Sequence, residues 1–153
     1  GQNACKTDAK NDKIERVIFR EDPIGFGKIV TAPYPGVPTD LQPQLAAASC
    51  YCRGETEVTD LVFPDRFGYA EELKKIHGGI RLAGNTLTVS GGGEHTGAKM
   101  TARDLRGGAA LAIAALAAEG ESEIAGAEHI DRGYERFENK LRLLGADVFR
   151  KGE

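Results

Sequence analysis

The chain has 153 residues, of which 41% are apolar, and its 20 basic and 23 acidic side chains leave a net charge of -3. That length suits one compact domain that buries roughly 70% of its unfolded surface, and it is too short for two ordinary domains. The slightly acidic balance argues against a nucleic-acid partner, because phosphate neutralisation needs a basic face. The longest apolar run, residues 109–118, is well short of the ~18 residues of a membrane span, so we expect no membrane partner.

The amino end and the cysteines indicate a cytoplasmic location. Residues 1–12 are polar and hold no apolar signal-peptide core, so we interpret them as a disordered tail or a cloning remnant. Three cysteines suggest no disulfide framework, and Cys50 and Cys52 lack the second cysteine pair that a zinc site usually needs. We expect Cys50 and Cys52 to be small packed or surface thiols.

The first predicted elements are two strands and a stiff loop. Residues 13–20 alternate well enough for a strand, and residues 28–32 form a second candidate. Residues 33–40 contain three prolines and a glycine, which forbid regular structure.

A helix is predicted after the stiff loop. Thr39 or Asp40 can cap this helix, and with Asp40 as the cap Pro43 falls in the first turn, where its missing N–H costs little. We expect the helix to run to about Tyr51. The further predicted elements are a strand at 57–61, a turn at 63–66, a helix at 69–76, a hairpin of 80–83 and 86–89, a strand at 99–102, a helix from Asp104, its cap, to 119, a strand at 123–125, a helix at 134–144 and a strand at 146–149.

The chain contains an internal repeat at an offset of 66 residues. Residues 54–58 (GETEV) recur as 120–124 (GESEI), and the Asp-Arg pair at 65–66 recurs at 131–132. An Asp-Leu pair opens an Ala-rich helix ahead of each copy. The sequence therefore predicts two copies of a helix–strand–helix–strand unit.

The repeat and one apolar helix together predict the architecture. Residues 109–118 are apolar on every face, and a helix without a polar stripe must be surrounded by protein. We therefore expect a mixed α/β (α+β) fold turned inside out, with central helices and peripheral sheets. Residues 13–153 are interpreted as a single partial domain with repeats at about 39–84 and 103–150. Two units cannot enclose the central helix, so we expect a missing third unit.

Four charged residues stand at predicted loop-to-helix junctions: Asp40, Arg66, Arg106 and Arg132. Arginines there lie beside free backbone N–H groups and the positive end of a helix dipole, which together favour a carboxylate or phosphate. Quasi-symmetric units could bring all three arginines onto one small, highly charged anion.

The same residues also have a purely structural interpretation. Arg66 and Arg132 would then pair with the preceding aspartates or with solvent, while Asp40 and Asp104 would only cap helices. The residues by themselves leave both interpretations open.

The histidines and the glycine-rich loop give weaker signals. His77, His95 and His129 are not spaced as metal ligands, so we expect them to be solvent-facing or structural. Residues 91–97 (GGGEHTG) lack the Lys-Ser/Thr ending of a phosphate loop, and we interpret them as a connection.

Residues 31–42 (TAPYPGVPTDLQ) resemble the UDP-N-acetylglucosamine enolpyruvyl transferases (1-carboxyvinyltransferases), which commit cells to peptidoglycan synthesis. The resemblance covers about residues 30–153. The shikimate-phosphate enolpyruvyl synthases share the fold of this family but match these motifs less well. The other matching motifs are, in order, LVF and DRF within 61–67, GAKMTARDLR at 97–106, HIDRGYE at 129–135 and KLRLLGA at 140–146.

The resemblance implies a fold of two inside-out α/β domains, each of three repeated units, with the active site between them. It implies that Asp40 is the base that takes the proton from the sugar 3-hydroxyl, and that Val62 and Phe63 line the UDP-sugar site. Arg66, Arg106 and Arg132 correspond to arginines that hold phosphoenolpyruvate and the leaving phosphate. The implied partners are phosphoenolpyruvate, UDP-N-acetylglucosamine and the rest of the enzyme, with no cofactor or metal.

The chain also departs from the family pattern. The catalytic cysteine, on a mobile loop, and a lysine–asparagine pair belong to the other domain, and neither is found in this chain. Tyr34, Pro64, His77 and Arg103 replace the usual residues at their positions. A shikimate-phosphate enolpyruvyl synthase fragment, or a truncated domain that only binds an anion, therefore remain alternatives.

Overall fold

The structure is a computed structural model that describes residues 4–5, 17–18 and 23–151. Its strands are β1 (Ala4–Cys5), β2 (Val17–Ile18), β3 (Gly27–Thr31), β4 (Gly54–Asp60), β5 (Ile80–Ala83), β6 (Thr86–Gly91), β7 (Lys99–Thr101) and β8 (Glu123–Ala125). Its helices are α1 (Gln42–Cys50), α2 (Ala70–Leu73), α3 (Leu105–Ala117), α4 (Ala127–Asp131) and α5 (Phe137–Leu143). Within the described ranges, no helix is long and apolar enough to cross a membrane.

The strands form one four-stranded sheet and two smaller ones. The large sheet has the spatial order β3–β4–β6–β5, with β3 parallel to β4 and the other neighbours antiparallel. Strands β5 and β6 form the predicted hairpin, whose turn places Gly84 at φ 59°, a left-handed conformation that suits glycine. Strand β7 pairs in parallel with β8, and β1 pairs antiparallel with β2.

A parallel strand–helix–strand unit occurs twice, as β3–α1–β4 and as β7–α3–β8. Gly54, the first residue of β4, and Gly120, which precedes β8, are equivalent at the repeat offset. Gly54 and Gly120 are both left-handed, with φ of 98° and 85°. The same local backbone requirement is therefore met by the same residue type in both units.

Helices α1 and α3 lie against each other in the core. Ala46 and Ala47 of α1 and Ala110 and Ala114 of α3 are fully buried. Their small side chains allow close helix approach, and the Tyr51 hydroxyl at the end of α1 donates to the Ala114 carbonyl at 2.5 Å.

Helix α3 is covered on one face only. Leu111 is 1% exposed, whereas Ile113 and Leu116 are 38% and 44% exposed. Two units were expected not to enclose this helix, and among the described residues the face with Ile113 and Leu116 is indeed partly exposed. The third unit that would cover this face stays a prediction.

Several predicted elements differ from the structure. The predicted tail 1–12 and strand 13–20 lie outside the described residues, apart from β1 and β2. Helix α2 is shorter than predicted and continues as turns to Ile76, whose N–H donates to the Leu73 carbonyl. Helix α4 was not predicted, and α5 begins later than expected because Arg136, at φ 48°, interrupts the chain before it.

The strand predicted at 146–149 is absent from the described part of the chain. A strand needs a neighbour for its backbone groups, and no described strand lies beside this segment. Side chains hold it instead: Arg142 donates to the Val148 carbonyl, and Arg150 pairs with Asp131 and Glu138.

The cysteines and two histidines have structural environments. Cys50 and Cys52 are buried free thiols, and burial raises the pKa of Cys50 to about 12, as expected for a packed thiol. His77 and His95 stack on each other with ring centroids 4.7 Å apart. Their Nε2 atoms donate to the carbonyls of Ser90 and Cys50 at 2.7 Å, so the predicted structural role of both is confirmed.

Candidate anion site at the helix starts

The site begins where the parallel strands β3 and β4 end side by side, with Thr31 opposite Asp60. After β3 the chain enters the proline loop, in which the Tyr34–Pro35 peptide bond is cis. A single 3-10 turn, Thr39–Leu41, then leads into α1 and carries Asp40 to the surface. Parallel strands share one carboxyl edge, so both following loops meet at this point.

Asp40 joins two of the predicted arginines. Arg66 Nη1 donates to Asp40 Oδ1 at 2.8 Å, and Arg106 Nη2 lies 3.5 Å from Asp40 Oδ2. The carboxylate is 52% exposed and the two guanidiniums are about 30% exposed. One carboxylate therefore lies between two cations that would otherwise repel each other in a partly solvated cleft.

This geometry corrects the expected helix caps. Neither Thr39 nor Asp40 makes a side-chain cap bond, and Leu41 is the residue before α1. Asp104 does cap α3 as predicted, since it accepts from Gly107 N at 2.7 Å. The structural interpretation of Arg66 as a partner of the preceding aspartate is also wrong, because its ion pair is with Asp40.

An open cavity of about 510 Å³ lies at these helix starts. Two guanidiniums and three carboxylates line it, and one of those carboxylates, Asp104, is engaged as the α3 cap. An anion that enters would need positive charge beyond the two lining arginines. The lining residues are Asp40, Asp65, Arg66, Gly68, Asp104, Leu105 and Arg106.

Tyr134 orients Arg106. Arg106 Nη1 donates to the Tyr134 hydroxyl at 2.6 Å, and its guanidinium carbon lies 5.3 Å from the centre of the Tyr134 ring. Gln44 of α1 donates to the same hydroxyl at 3.3 Å. The hydrogen bond with Tyr134, followed by the charge of Asp40, raises the pKa of Arg106 above its already high value. The sequence did not reveal this role, although Tyr134 stands two residues after Arg132 in the HIDRGYE motif at 129–135.

Arg132 does not join the other three charged residues. It is exposed and follows the end of α4, so it does not stand at a helix start as predicted. Its guanidinium makes no hydrogen bond or ion pair with any residue in the described ranges, and Asp131 pairs with Arg150 instead. The next residue, Gly133, packs closely against Leu105, so the Arg132 backbone lies near the start of α3.

Val62 and Phe63 form an apolar rim beside Arg66. They are 38% and 54% exposed, and the Arg66 guanidinium carbon lies 5.3 Å from the Phe63 ring centre. The predicted turn is confirmed by the bond from Arg66 N to the Phe63 carbonyl at 3.0 Å. A depression of about 320 Å³ lies over Phe63, Pro64, Asp65 and Arg66.

The fold and this site define a class of protein. The sequence profile of the EPSP synthase (3-phosphoshikimate 1-carboxyvinyltransferase) family matches residues 3–141, and the chain belongs to that family. The enolpyruvyl transferase NikO from Streptomyces tendae superposes with a TM-score of 0.74 at 32% identity, over 96% of this chain and 33% of that one. EPSP synthase from Acinetobacter baumannii, at 15% identity and a TM-score of 0.61, shares the fold. The predicted mixed α/β enolpyruvyl transferase fold is confirmed.

Within that class, the chain is similar to UDP-N-acetylglucosamine 1-carboxyvinyltransferases. It is 44% identical to enzyme 2 of that name from Caldanaerobacter subterraneus subsp. tengcongensis, over 97% of this chain and 36% of the relative. It is 47% identical to the Wolinella succinogenes enzyme over 82% of this chain and 30% of the relative. The resemblance noted in the sequence is confirmed, and the chain spans about a third of the length of these curated relatives.

Proposed function

We propose that this chain supplies one wall of an enolpyruvyl transferase active site, which moves the enolpyruvyl group of phosphoenolpyruvate to the 3-hydroxyl of UDP-N-acetylglucosamine. The observation that carries the proposal is the Asp40 carboxylate held between Arg66 and Arg106 at the mouth of an open cavity. The names of the curated relatives support this acceptor.

Asp40 has the proposed role of general base. Its oxygens accept a hydrogen bond from Arg66 and form an ion pair with Arg106. An entering phosphate or carboxylate would take over those donors, which frees the Asp40 carboxylate for the sugar hydroxyl. The hydroxyl oxygen bonds to C2 of phosphoenolpyruvate, its proton passes to Asp40, and C3 receives a proton. Loss of a proton from C3 and cleavage of the C2–O bond then release phosphate. General-base help of this kind is typically about 10²–10⁴-fold.

The other site residues have proposed roles in binding. Arg66 and Arg106 hold the phosphate and carboxylate of phosphoenolpyruvate, and Val62 and Phe63 contact the UDP-sugar at the rim. The three carboxylates that line the cavity outnumber its two guanidiniums, so the cavity carries no net positive charge to attract an anion. Arg132 and the rest of the enzyme must therefore supply further cations. The proton donor for C3 also belongs to that missing part. We therefore expect no turnover by this chain on its own, because one open wall leaves the arginines in water.

The cellular setting follows from the proposed reaction. Transfer to UDP-N-acetylglucosamine is the first committed step of peptidoglycan synthesis, so the proposed location is the cytoplasm. Loss of the activity would then affect cell shape and division.

Phosphate release tests the proposed function. The full-length protein that carries this chain is mixed with phosphoenolpyruvate and either UDP-N-acetylglucosamine or shikimate 3-phosphate. Release with the UDP-sugar, reduced about 10²-fold or more by Asp40→Asn, is expected. Asp131→Asn, an equally conservative change in an ion pair outside the cavity lining, is the control. Release only with shikimate 3-phosphate, the acceptor in the name of the matched family, would move the protein to that reaction. Release with neither acceptor would indicate a domain that binds anions without catalysis.

A further inference from the structure

Asp60, the last residue of β4, is a buried carboxylate with an unusual number of donors around it. Its side chain is fully buried, and both oxygens are hydrogen-bonded. Oδ1 accepts from the Thr31 hydroxyl at 2.7 Å and from the backbone N–H groups of Val62 and Phe63 at 2.9 and 2.8 Å. Oδ2 accepts from the Thr39 hydroxyl at 2.6 Å and from Gln42 Nε2 at 3.3 Å. One carboxylate therefore contacts both loops of the candidate site.

The proton of the Thr39 hydroxyl has only one possible direction. A carboxylate accepts and cannot donate, so the hydroxyl must donate to Asp60. Its remaining lone pairs then face Arg66, whose Nη1 donates to Thr39 Oγ1 at 3.2 Å and to Asp40 Oδ1 at 2.8 Å. The hydrogen bonds thus run from Arg66 through Thr39 to Asp60.

Gln42 cannot reverse this direction. Its Nε2 also donates to the Arg66 carbonyl at 2.9 Å, and its Oε1 accepts from the buried Tyr69 hydroxyl at 2.5 Å. Turning the amide over would place its oxygen against the Arg66 carbonyl and the Asp60 carboxylate, neither of which can donate. Asp60 therefore faces donors only. Burial acts to raise the pKa of Asp60, but the hydrogen bonds from Phe63, Thr39, Thr31 and Val62 outweigh it and hold that pKa below its ordinary value.

We propose that Asp60 is a positioning residue for the transfer reaction, which sets the sugar-side loop through one oxygen and the anion-side guanidinium through the other. Oδ1 fixes the backbone of Val62 and Phe63, whose side chains form the rim. Oδ2 fixes the Thr39 hydroxyl, which receives Arg66 and sets how it meets Asp40. We call the hydrogen-bonded series Arg66–Thr39–Asp60 the relay. The role of Asp60 in the reaction rests on the proposed function, whereas the relay itself does not.

Asparagine at position 60 distinguishes the contacts of Oδ1 with the rim loop from those of Oδ2 with Thr39. Its oxygen can stay with the two backbone N–H groups, but its NH₂ group would then face Thr39 and Gln42, which both donate. To accept from that NH₂ group, the Thr39 hydroxyl would have to turn its own proton towards Arg66. Two donors would then face each other, and the hydrogen bond from Arg66 to Thr39 would be lost. Asp60→Asn should therefore keep the rim loop in place and release Arg66.

Exchange measurements on the 153-residue chain test the relay without any substrate. In Asp60→Asn and in Thr39→Val, the Arg66 guanidinium protons should exchange with water at least about tenfold faster, as a locally opened bond does. The Val62 and Phe63 amides should change little in Thr39→Val. Thr39→Ser keeps the hydroxyl and should restore most of the Arg66 protection. Unchanged Arg66 exchange in Thr39→Val would overturn the relay, even if Asp60→Asn fails to fold.

Kinetics of the full-length protein test the positioning role. Asp60→Asn and Thr39→Val should each lower kcat/KM for phosphoenolpyruvate by at least about tenfold, and the double variant should lose little more than either one. Glu72→Gln is the matched control, because Glu72 is also a buried carboxylate that accepts a backbone N–H, from Thr101 at 2.9 Å, but contacts neither Thr39 nor Arg66. It should leave kcat/KM unchanged.

Two kinetic results would overturn the positioning role. If the fold-losses in kcat/KM of the two single variants multiply in the double variant, Asp60 and Thr39 act separately. Wild-type kcat/KM in Thr39→Val, together with fast Arg66 exchange, would mean that the relay is structural only. A full-length protein without transferase activity would overturn the proposed function instead, and the exchange measurements would still decide the relay.

Discussion

Replacing Asp40 with asparagine should have opposite effects on anion binding and on turnover. The Asp40 carboxylate forms ion pairs with both Arg66 and Arg106. An anion seated against both guanidiniums would be repelled by a carboxylate about 5 Å away, by about 0.8 kcal/mol in water and about 3 kcal/mol at an effective dielectric constant of 20. Because Asp40 is 52% exposed, we take the lower end, about 1 kcal/mol, which corresponds to about fivefold tighter binding.

Titration calorimetry of the 153-residue chain with inorganic phosphate at low ionic strength measures this gain, since salt would screen it. The free energy of unfolding should change by less than about 1 kcal/mol, because Asp40 caps no helix and partly exposed ion pairs contribute little. Asp131→Asn, whose ion pair with Arg150 lies elsewhere, should bind phosphate as the wild type does. Phosphate binding that is no tighter in Asp40→Asn would refute the idea that Asp40 holds the two arginines in solution.

Arg106→Lys keeps the charge but loses the planar group that meets Asp40 and Tyr134 together, so steady-state kinetics of the full-length protein should show a loss of about 2 kcal/mol in transition-state binding. Tyr134→Phe keeps the ring but removes the hydroxyl, which accepts from Arg106 at 2.6 Å and from Gln44 at 3.3 Å, so it should cost about 1 kcal/mol; wild-type kinetics would mean that the ring contact alone positions Arg106. The folded-state pKa of Asp60 is lowered, so its stabilisation is complete above the unfolded pKa of about 4 and is lost as pH falls through the folded value. Urea unfolding should therefore show wild type and Asp60→Asn converging below about pH 4.

Features set by neighbouring residues were predicted well from the sequence. The Asp104 cap bonds a residue only three positions away, and the hairpin around Gly84 depends on a two-residue turn. Both follow from local backbone requirements. The repeat seen in the sequence is also present in the backbone, since Gly54 and Gly120, which are equivalent in the two copies, both adopt a left-handed conformation.

Features set by distant residues were missed. Local rules allow Asp40 to cap a helix, but they cannot reveal its ion pairs with Arg66 and Arg106, which lie 26 and 66 positions along the chain. Asp60 was not singled out, because three of its five donors, Thr31, Thr39 and Gln42, are distant in sequence and are brought to it by the parallel β3–β4 pairing. The strand expected at 146–149 does not form for the same reason, because its periodicity cannot reveal that no described strand pairs with it.

The two glycines that flank β8 test how rigidly the second unit holds the segment before Arg132. Gly120 and Gly126 have similar left-handed φ values, 85° and 78°. A Cβ on Gly120 would meet nothing within 4 Å, whereas one on Gly126 would lie 2.3 Å from the Ala102 carbonyl oxygen. That oxygen cannot move freely, because Ala102 N donates to the Ala125 carbonyl at 2.8 Å beside the β7–β8 pair.

Alanine at Gly120 should therefore cost only the left-handed backbone penalty, about 1–2 kcal/mol in the free energy of unfolding. Alanine at Gly126 adds a clash with fixed backbone, which should bring the loss to about 3 kcal/mol or more. Urea unfolding of the two variants measures the difference directly, with each glycine serving as the control for the other. Equal losses would mean that the β7–β8 edge yields to the new methyl group. The start of α4, and with it Arg132, would then be free to shift when the rest of the enzyme packs against this wall.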